Sequence, residues 1–238
     1  MTINEIKKGI LLAGGNGSRL NPITLGTSKQ LLPIYNKPTI YYPLTTLMLG
    51  GIQNVLIITT KKDKENYINL LGNGSKWGMK IHYAIQEKPN GIAEAFLIAE
   101  DFIEKDKVSL ILGDNLFFGQ ELSNLLIKSF STNGASIFAY PVNDPSRYGV
   151  IEFDKNFKAK SIVEKPKNPK SKYAITGLYT FDNKVIDYCK NLKPSKRGEL
   201  EITEIQKIYL KNKELNIKVL GRATGWFDTG TFDSLHEA

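Results

Sequence analysis

A chain of 238 residues, 41% hydrophobic and 24% charged, is long enough to bury a full core, and this composition excludes a disordered or fibrous protein. The net charge of +8 comes almost wholly from lysines scattered along the chain, as at Lys61, Lys62, Lys105, Lys155 and Lys211. With no basic tract, nucleic acid is not called for, and a solvated lysine surface or the steering of a small polyanion accounts for the excess. No apolar run approaches the ~20 residues of a membrane helix. Met1 to Lys8 carries no signal-peptide apolar region, and one cysteine, Cys189, leaves no internal disulfide. A cytoplasmic protein is expected.

In chain order, Gly9 to Ala13 is an apolar strand that runs into Gly14-Gly-Asn-Gly17. Pro38 opens a helix with Ile40, Tyr41, Leu44, Leu47 and Met48 at helical spacing, closed by Gly50 and Gly51. Asn54–Thr59 reads as a buried strand, 63–71 as a helix, Ile81–Ile85 as a strand and Ile92–Ile103 as one helix. Val108–Leu112 is the next buried strand, ending at Gly113-Asp-Asn115, and Ala135–Ala139 another. Tyr148–Phe153 and Lys158–Glu164 form a hairpin, Tyr173–Phe181 returns as a strand, Glu201–Leu210 is helical, and Ile217–Leu220 is a last strand before Trp226-Phe-Asp-Thr-Gly230. Strands alternating with helices predict an α/β fold: a Rossmann-like, mixed but mostly parallel central sheet flanked by helices. No repeat or linker interrupts it, so 1–238 is expected to be one domain, with a nucleotide-binding half to about residue 140 and a sugar-phosphate half beyond.

Ligands in open α/β sheets bind beyond the carboxyl ends of the strands, which singles out the loop after the first strand, Asp114 and Asp228. The first loop, Leu12-Ala-Gly-Gly-Asn-Gly-Ser-Arg-Leu20, is no Walker A loop and lacks the third glycine of a dinucleotide fingerprint. It can still bring backbone N–H groups close to phosphate oxygens, although a tight structural turn explains such glycines equally well. Arg19 adds a forked cation suited to phosphate. Ser28-Lys-Gln-Leu-Leu-Pro33 places Lys29 beside a short apolar strand, and Gln86 to Ala95 sets an amide and a glycine at a strand-to-helix junction. The amide offers a donor and an acceptor, as a pyrimidine edge requires. Asp114 ends a hydrophobic strand with a carboxylate of the kind that anchors magnesium beside phosphates, although Gly-Asp-Asn by itself also suits a cap on the following turn, and Glu164-Lys-Pro166 pairs an acceptor for sugar hydroxyls with a cation for phosphate.

These segments, with Tyr41-Tyr-Pro-Leu44, Arg147-Tyr-Gly-Val150, Gly177-Leu-Tyr179, Arg197-Gly-Glu-Leu-Glu-Ile-Thr203 and Trp226-Phe-Asp-Thr-Gly230, resemble in this order the sugar nucleotidyltransferase family, most closely its glucose-1-phosphate thymidylyltransferases. The resemblance spans nearly the whole chain. It implies transfer of a thymidylyl group from dTTP to glucose 1-phosphate, giving dTDP-glucose and pyrophosphate, as a first step towards dTDP-rhamnose or other dTDP-deoxysugars. It further implies Mg2+ held by Asp114 and Asp228, and a nucleotide site of Leu12, Gly14, Gly15, Gly17, Arg19, Lys29, Gln86, Gly91 and Asp114. Asn115, Gly149, Glu164, Lys165 and Ile175 would line the sugar-phosphate site; Arg19, Lys29, Lys165, Asp114 and Asp228 would carry catalysis. A homo-oligomer is implied too. Long-form relatives continue into a helical C-terminal extension, whereas this sequence stops at Ala238.

Two other readings compete. A UTP-dependent uridylyltransferase differs in its base by one methyl, which composition does not resolve. A non-catalytic sugar-nucleotide sensor would need no carboxylate pair for a metal. Tyr41, Tyr42, His82, His236 and Cys189 are expected to be packing or surface residues, while Glu199 and Glu201 are open between capping a helix and reaching the sugar site.

Overall fold

The computed structural model describes residues 7–238, so the N-terminal reading over 1–6 lies outside the described residues. Strand β1 (Lys8–Ala13) leads through the glycine loop and the short helix α1 (Ile23–Gly26) to a small hairpin, β2 (Pro33–Ile34) and β3 (Lys37–Pro38). Then come α2 (Tyr41–Leu49), β4 (Asn54–Thr59), α3 (Lys64–Leu71), β5 (Lys80–Ile85), α4 (Glu94–Ile98), α5 (Glu100–Ile103), β6 (Val108–Leu112) and β7 (Asn115–Phe118). Next are α6 (Leu122–Phe130), β8 (Ala135–Pro141), β9 (Gly149–Phe153), β10 (Ala159–Glu164), β11 (Tyr173–Phe181), α7 (Lys184–Lys190), α8 (Ile202–Lys211), β12 (Leu215–Val219), β13 (Gly225–Asp228) and α9 (Phe232–Glu237).

The central sheet runs β10-β9-β11-β6-β1-β4-β5, with β8 beside β11 and β12 beside β8. β1 is parallel to both β4 and β6, and β4 to β5, so the chain builds outward on one side of β1 and then crosses to the other. β11 is antiparallel to β6, β8 and β9, which makes the sheet mixed beyond β6. The expected α/β sheet with flanking helices is the one found.

Side chains alternate between its two faces. On one, Ile10, Leu56, Val108 and Leu110 meet Phe96 and Ala99 of the α4–α5 segment, Val185 of α7 and Ile205 and Tyr209 of α8. On the other, Leu11, Val55, Ile57 and Ile111 meet Leu44 and Leu47 of α2, Tyr67 of α3 and Leu126 of α6. Both faces being covered explains the unbroken apolar runs of β1, β4 and β6.

Three readings need correction. Pro38 ends a strand rather than opening a helix, because the β2–β3 hairpin holds it at Pro33; α2 starts at Tyr41. The helix expected over Ile92–Ile103 is two pieces, since Ala99 leaves helical geometry (φ −93, ψ 9) between them. Finally, the strand read over Ile217–Leu220 is not the last: Gly225–Asp228 forms β13, which pairs antiparallel with β7 as a separate ribbon, a long-range contact that no local pattern announces. Cys189 is buried and its thiol pushed up to about 12, so it is a packing residue. Tyr41 packs edge-on against Trp77, and Tyr42 donates to the Ile34 carbonyl, in keeping with packing roles.

Candidate active site

The strand order reverses between β1 and β6, and the crevice opens at that switch point, beyond their carboxyl ends. The two ends are tied by a hydrogen bond from Gly113 N to Leu12 O, 2.9 Å. From β1 the chain enters the glycine loop, where Gly17 takes the left-handed φ of +62 and its carbonyl accepts from the Thr24 hydroxyl. A β-carbon on Gly14 would lie 2.5 Å from Gln86 Oε1, so glycine there lets the Gln86 amide close on the loop. The Gln86 nitrogen donates to Glu94 (2.7 Å) and to Gly91 O (3.2 Å), leaving Oε1 as its free acceptor. Gly91 (φ +111) is wedged against the Leu200 backbone, where a β-carbon would approach to 2.4 Å.

Asp114 leaves β6 beneath this loop. It is buried, and the Lys29 ammonium is paired directly with its carboxylate. Burial alone would raise the Asp114 carboxyl; the adjacent Lys29 charge outweighs it and holds the group below the ordinary carboxylate value. The β7–β13 ribbon sets Asp228 opposite Asn115 and so beside Asp114. Asp228 shifts upward, first by burial and then by the negative charge of Asp114, against the pull of Lys29, Arg19 and Arg147. Two carboxylates that repel one another in a buried crevice form a hard-oxygen donor pair that a divalent cation would relieve. Among the described residues no group of three or more His, Cys, Asp or Glu side chains is placed to hold a metal ion, so a cation here would have the Asp114–Asp228 pair as its carboxylate ligands.

Asn115 has its own task. Its Oδ1 accepts from Trp226 Nε1 (2.7 Å) and Gly177 N (2.9 Å), and its Nδ2 donates to Asp114 (3.2 Å). It thus fastens β7, β11 and β13 around the carboxylate pair. Arg19 reaches across the crevice to Gly230, where a β-carbon would meet its Nη2 at 2.7 Å.

The same cavity, of about 270 Å3, continues into a second region lined by Gly149, Glu164, Lys165, Ile175, Glu201 and Thr203. Gly149 keeps this region open: a β-carbon there would strike Thr203 (2.8 Å) and crowd Ile175 (3.3 Å). Glu164 is pushed up by burial and then by the charge of Glu201, while Lys165, the Thr203 hydroxyl and Arg197 counter it. Lys165 sits at φ +40, a strained setting for a lysine, held by its N–H bond to Tyr148 O, 3.0 Å. Glu201 occupies the N-cap position of α8 but makes no capping bond. Its carboxylate takes the Ser195 hydroxyl at 2.8 Å and lies 3.5 Å from Arg197, which also binds Glu199 at 2.8 Å. Both acids therefore face the cavity and its clamp rather than the helix dipole.

Of the residues singled out in the sequence, Leu12, Gly15, Arg19, Lys29, Asp114, Asn115, Gly149, Glu164, Lys165, Ile175 and Asp228 border this one cavity. Gly14, Gly17, Gln86 and Gly91 do not; they shape the loop and junction next to it. Sequence reasoning passed over Arg147, whose Nη2 is buried without a hydrogen-bond partner 3.8 Å from Asp228, as well as Tyr148, Trp226 and Gln206. Arg147 stood inside a recognised motif as one of only four arginines, which was the available signal.

A family model described as nucleotidyl transferase matches residues 8–238. The chain is 54% identical over 232 residues to the glucose-1-phosphate thymidylyltransferase of Neisseria meningitidis, covering 97% of this chain and 81% of that protein. It is 53% identical over 231 residues to that of Mycobacterium tuberculosis, covering 97% and 80%. Among solved structures, it superposes with a TM-score of 0.90 and 42% identity on a Bacillus anthracis protein assigned as a glucose-1-phosphate thymidylyltransferase, in complex with sucrose, covering 97% of this chain and 93% of that one. A UDP-glucose pyrophosphorylase complexed with UDP-glucose matches with a TM-score of 0.84 at 25% identity, covering 98% and 96%.

Proposed function

Because this chain belongs to the nucleotidyl transferase family, we propose that it transfers a thymidylyl group from dTTP to glucose 1-phosphate, releasing pyrophosphate and giving dTDP-glucose. The observation that carries the reading is the single cavity shared by the Lys29–Asp114–Asp228 group and the Gly149–Glu164–Lys165 group, so that a nucleotide and a sugar phosphate held there would meet.

The glycine loop, Arg19 and Lys29 would hold the triphosphate, and Gln86 Oε1 would accept from a pyrimidine N–H. Gly149, Glu164, Lys165 and Ile175 would hold the sugar phosphate. A nucleotide half to about residue 140 and a sugar half beyond it describe this division, with Asp228 returning to the nucleotide side through the β7–β13 pairing. The acceptor phosphate needs no general base, because the second pKa of a phosphate monoester is about 6. The barrier is electrostatic instead. Like unit charges ~4 Å apart repel by about 4 kcal/mol at an effective dielectric near 20. Lys165 would neutralise the attacking phosphate, and Arg19 and Lys29 the charge growing on pyrophosphate.

Nucleotidyl transferases generally use a divalent cation. Mg2+ on Asp114 and Asp228 fits the donor set and would supply charge neutralisation between the two phosphates. The implied homo-oligomer rests on the resemblance alone, and light scattering decides it.

The test is pyrophosphate release from the purified protein with Mg2+, glucose 1-phosphate and either dTTP or UTP. Release that needs both substrates and is faster with dTTP is the expected result. Faster release with UTP moves the protein to the uridylyl specificity, and no release with either nucleotide overturns the enzymatic reading.

A further inference from the structure

Gln206 lies one turn beyond Thr203 on α8, on the flank that turns from the core towards the sugar region of the cavity. The side chain is 0% exposed, and neither its amide nitrogen nor its amide oxygen has a hydrogen-bond partner. The Thr203 hydroxyl, one turn earlier on the same helix, is buried and directed at the Glu164 carboxylate, so it does not serve as the partner of the amide. The rest of the inner face of α8 behaves differently: Ile202, Ile205 and Tyr209 are in the core, and the Tyr209 hydroxyl is satisfied by Asp182. A buried orphan amide is costly, and an apolar residue of similar volume would avoid that cost. Its persistence at the wall of a cavity points to a partner that arrives with the ligand.

A sugar ring hydroxyl has the matching chemistry, since it donates and accepts at one atom, and the amide offers both functions side by side. The terminal torsion of glutamine is broad, so a small turn carries the amide to the cavity without rebuilding α8. We propose that Gln206 is a specificity-determining residue that reads a ring hydroxyl of the hexose 1-phosphate. Its nitrogen donates to the hydroxyl oxygen, and its oxygen accepts either from that hydroxyl or from its neighbour. The inference rests on the sugar-phosphate acceptor proposed above.

The experiment compares wild type with Gln206→Leu and Gln206→Met on glucose 1-phosphate and its 2-, 3-, 4- and 6-deoxy analogues, with dTTP, following pyrophosphate. Wild type is expected to lose about tenfold or more in kcat/KM on one analogue. Each variant should lose a similar factor on glucose 1-phosphate, lose nothing further on that same analogue, and keep the KM for dTTP. Thermal melts should show the variants as stable as wild type or more so, because an unpaired buried amide has gone. Variants that discriminate among the five sugars as wild type does overturn the inference. So does a melting temperature that falls in both variants, which assigns the amide to packing. A wild type that turns over no hexose 1-phosphate overturns the acceptor reading and this inference together, whereas an active wild type with unchanged selectivity in the variants overturns this inference alone.

Discussion

Lys29 and Asp114 stand 85 residues apart in the chain and meet as a buried ion pair in the crevice between β1 and β6. The ammonium keeps Asp114 ionised despite burial, next to an Asp228 that burial and Asp114 both push towards protonation. One lysine thus keeps the Asp114 carboxylate charged for a cation and adds its own ammonium to the cavity wall, where a triphosphate would bind. Lys29→Met removes both services. Turnover is expected to fall by about 10²–10³-fold, the scale of a lost preorganised donor. The Mg2+ concentration for half-maximal activity should rise in the same variant, and a magnesium titration of pyrophosphate release checks both.

Arg19 is predicted to act on the rate more than on sugar binding. Arg19→Ala should cost about 2–4 kcal/mol in turnover while leaving the KM for glucose 1-phosphate near its starting value. Because a β-carbon at Gly230 would collide with the guanidinium at 2.7 Å, Gly230→Ala should reproduce part of this loss with Arg19 intact. Steady-state kinetics of the two variants test the assignment; an unchanged turnover in Arg19→Ala sinks it.

Gly91 is a stability position as well as a site position. Its φ of +111 and the Leu200 backbone, 2.4–2.9 Å from any added β-carbon, make Gly91→Ala a backbone clash rather than a side-chain one. Strain and overpacking together are expected to cost about 2–4 kcal/mol. For a chain of this length that corresponds to a fall in Tm of roughly 4–16 °C. The hydrogen bonds between 90–93 and Leu200 link the Gln86 junction to the start of α8, so the KM for dTTP should rise as well.

At the far end of β1, Lys8 is buried and bonded to Glu104 (2.9 Å), Asp106 (2.8 Å) and Ile103 O (3.3 Å). Burial lowers its pKa, but the two acids overcome that and raise it above the model-peptide 10.5. A lysine raised on folding stabilises fully below the unfolded value and loses that contribution as pH climbs through the folded one. Lys8→Met should therefore destabilise by about 1–3 kcal/mol at neutral pH, and the gap to wild type should close only above about pH 10.5. Denaturant midpoints measured at neutral and strongly alkaline pH decide this.

Strands β1, β4 and β6 were legible in the sequence because both sheet faces are covered, and runs such as Ile10–Leu12 and Val55–Ile58 need no partner to be recognised as buried. The helix drawn through Ile92–Ile103 missed its break at Ala99, since alanine is the best of helix formers and carries no breaking signal. The helix at Leu122–Phe130 has apolar residues at Leu122, Leu126 and Phe130, a spacing that could have been read and was passed over. The β7–β13 ribbon could not have been found this way, because it joins segments more than a hundred residues apart.

What the sequence determined by itself was the alternation that makes an α/β sheet, the glycines and cations at its strand ends, and the motif order that marks the family. Local spacing carries those, because they are set by backbone geometry and side-chain chemistry within a few residues. Only the tertiary structure decided that Lys29 pairs with Asp114, that the ribbon brings Asp228 beside it, and that Arg147 and Gln206 belong to the cavity at all. Charge pairing and unpaired burial depend on which side chains the fold excludes from water together, and no stretch of sequence contains that information.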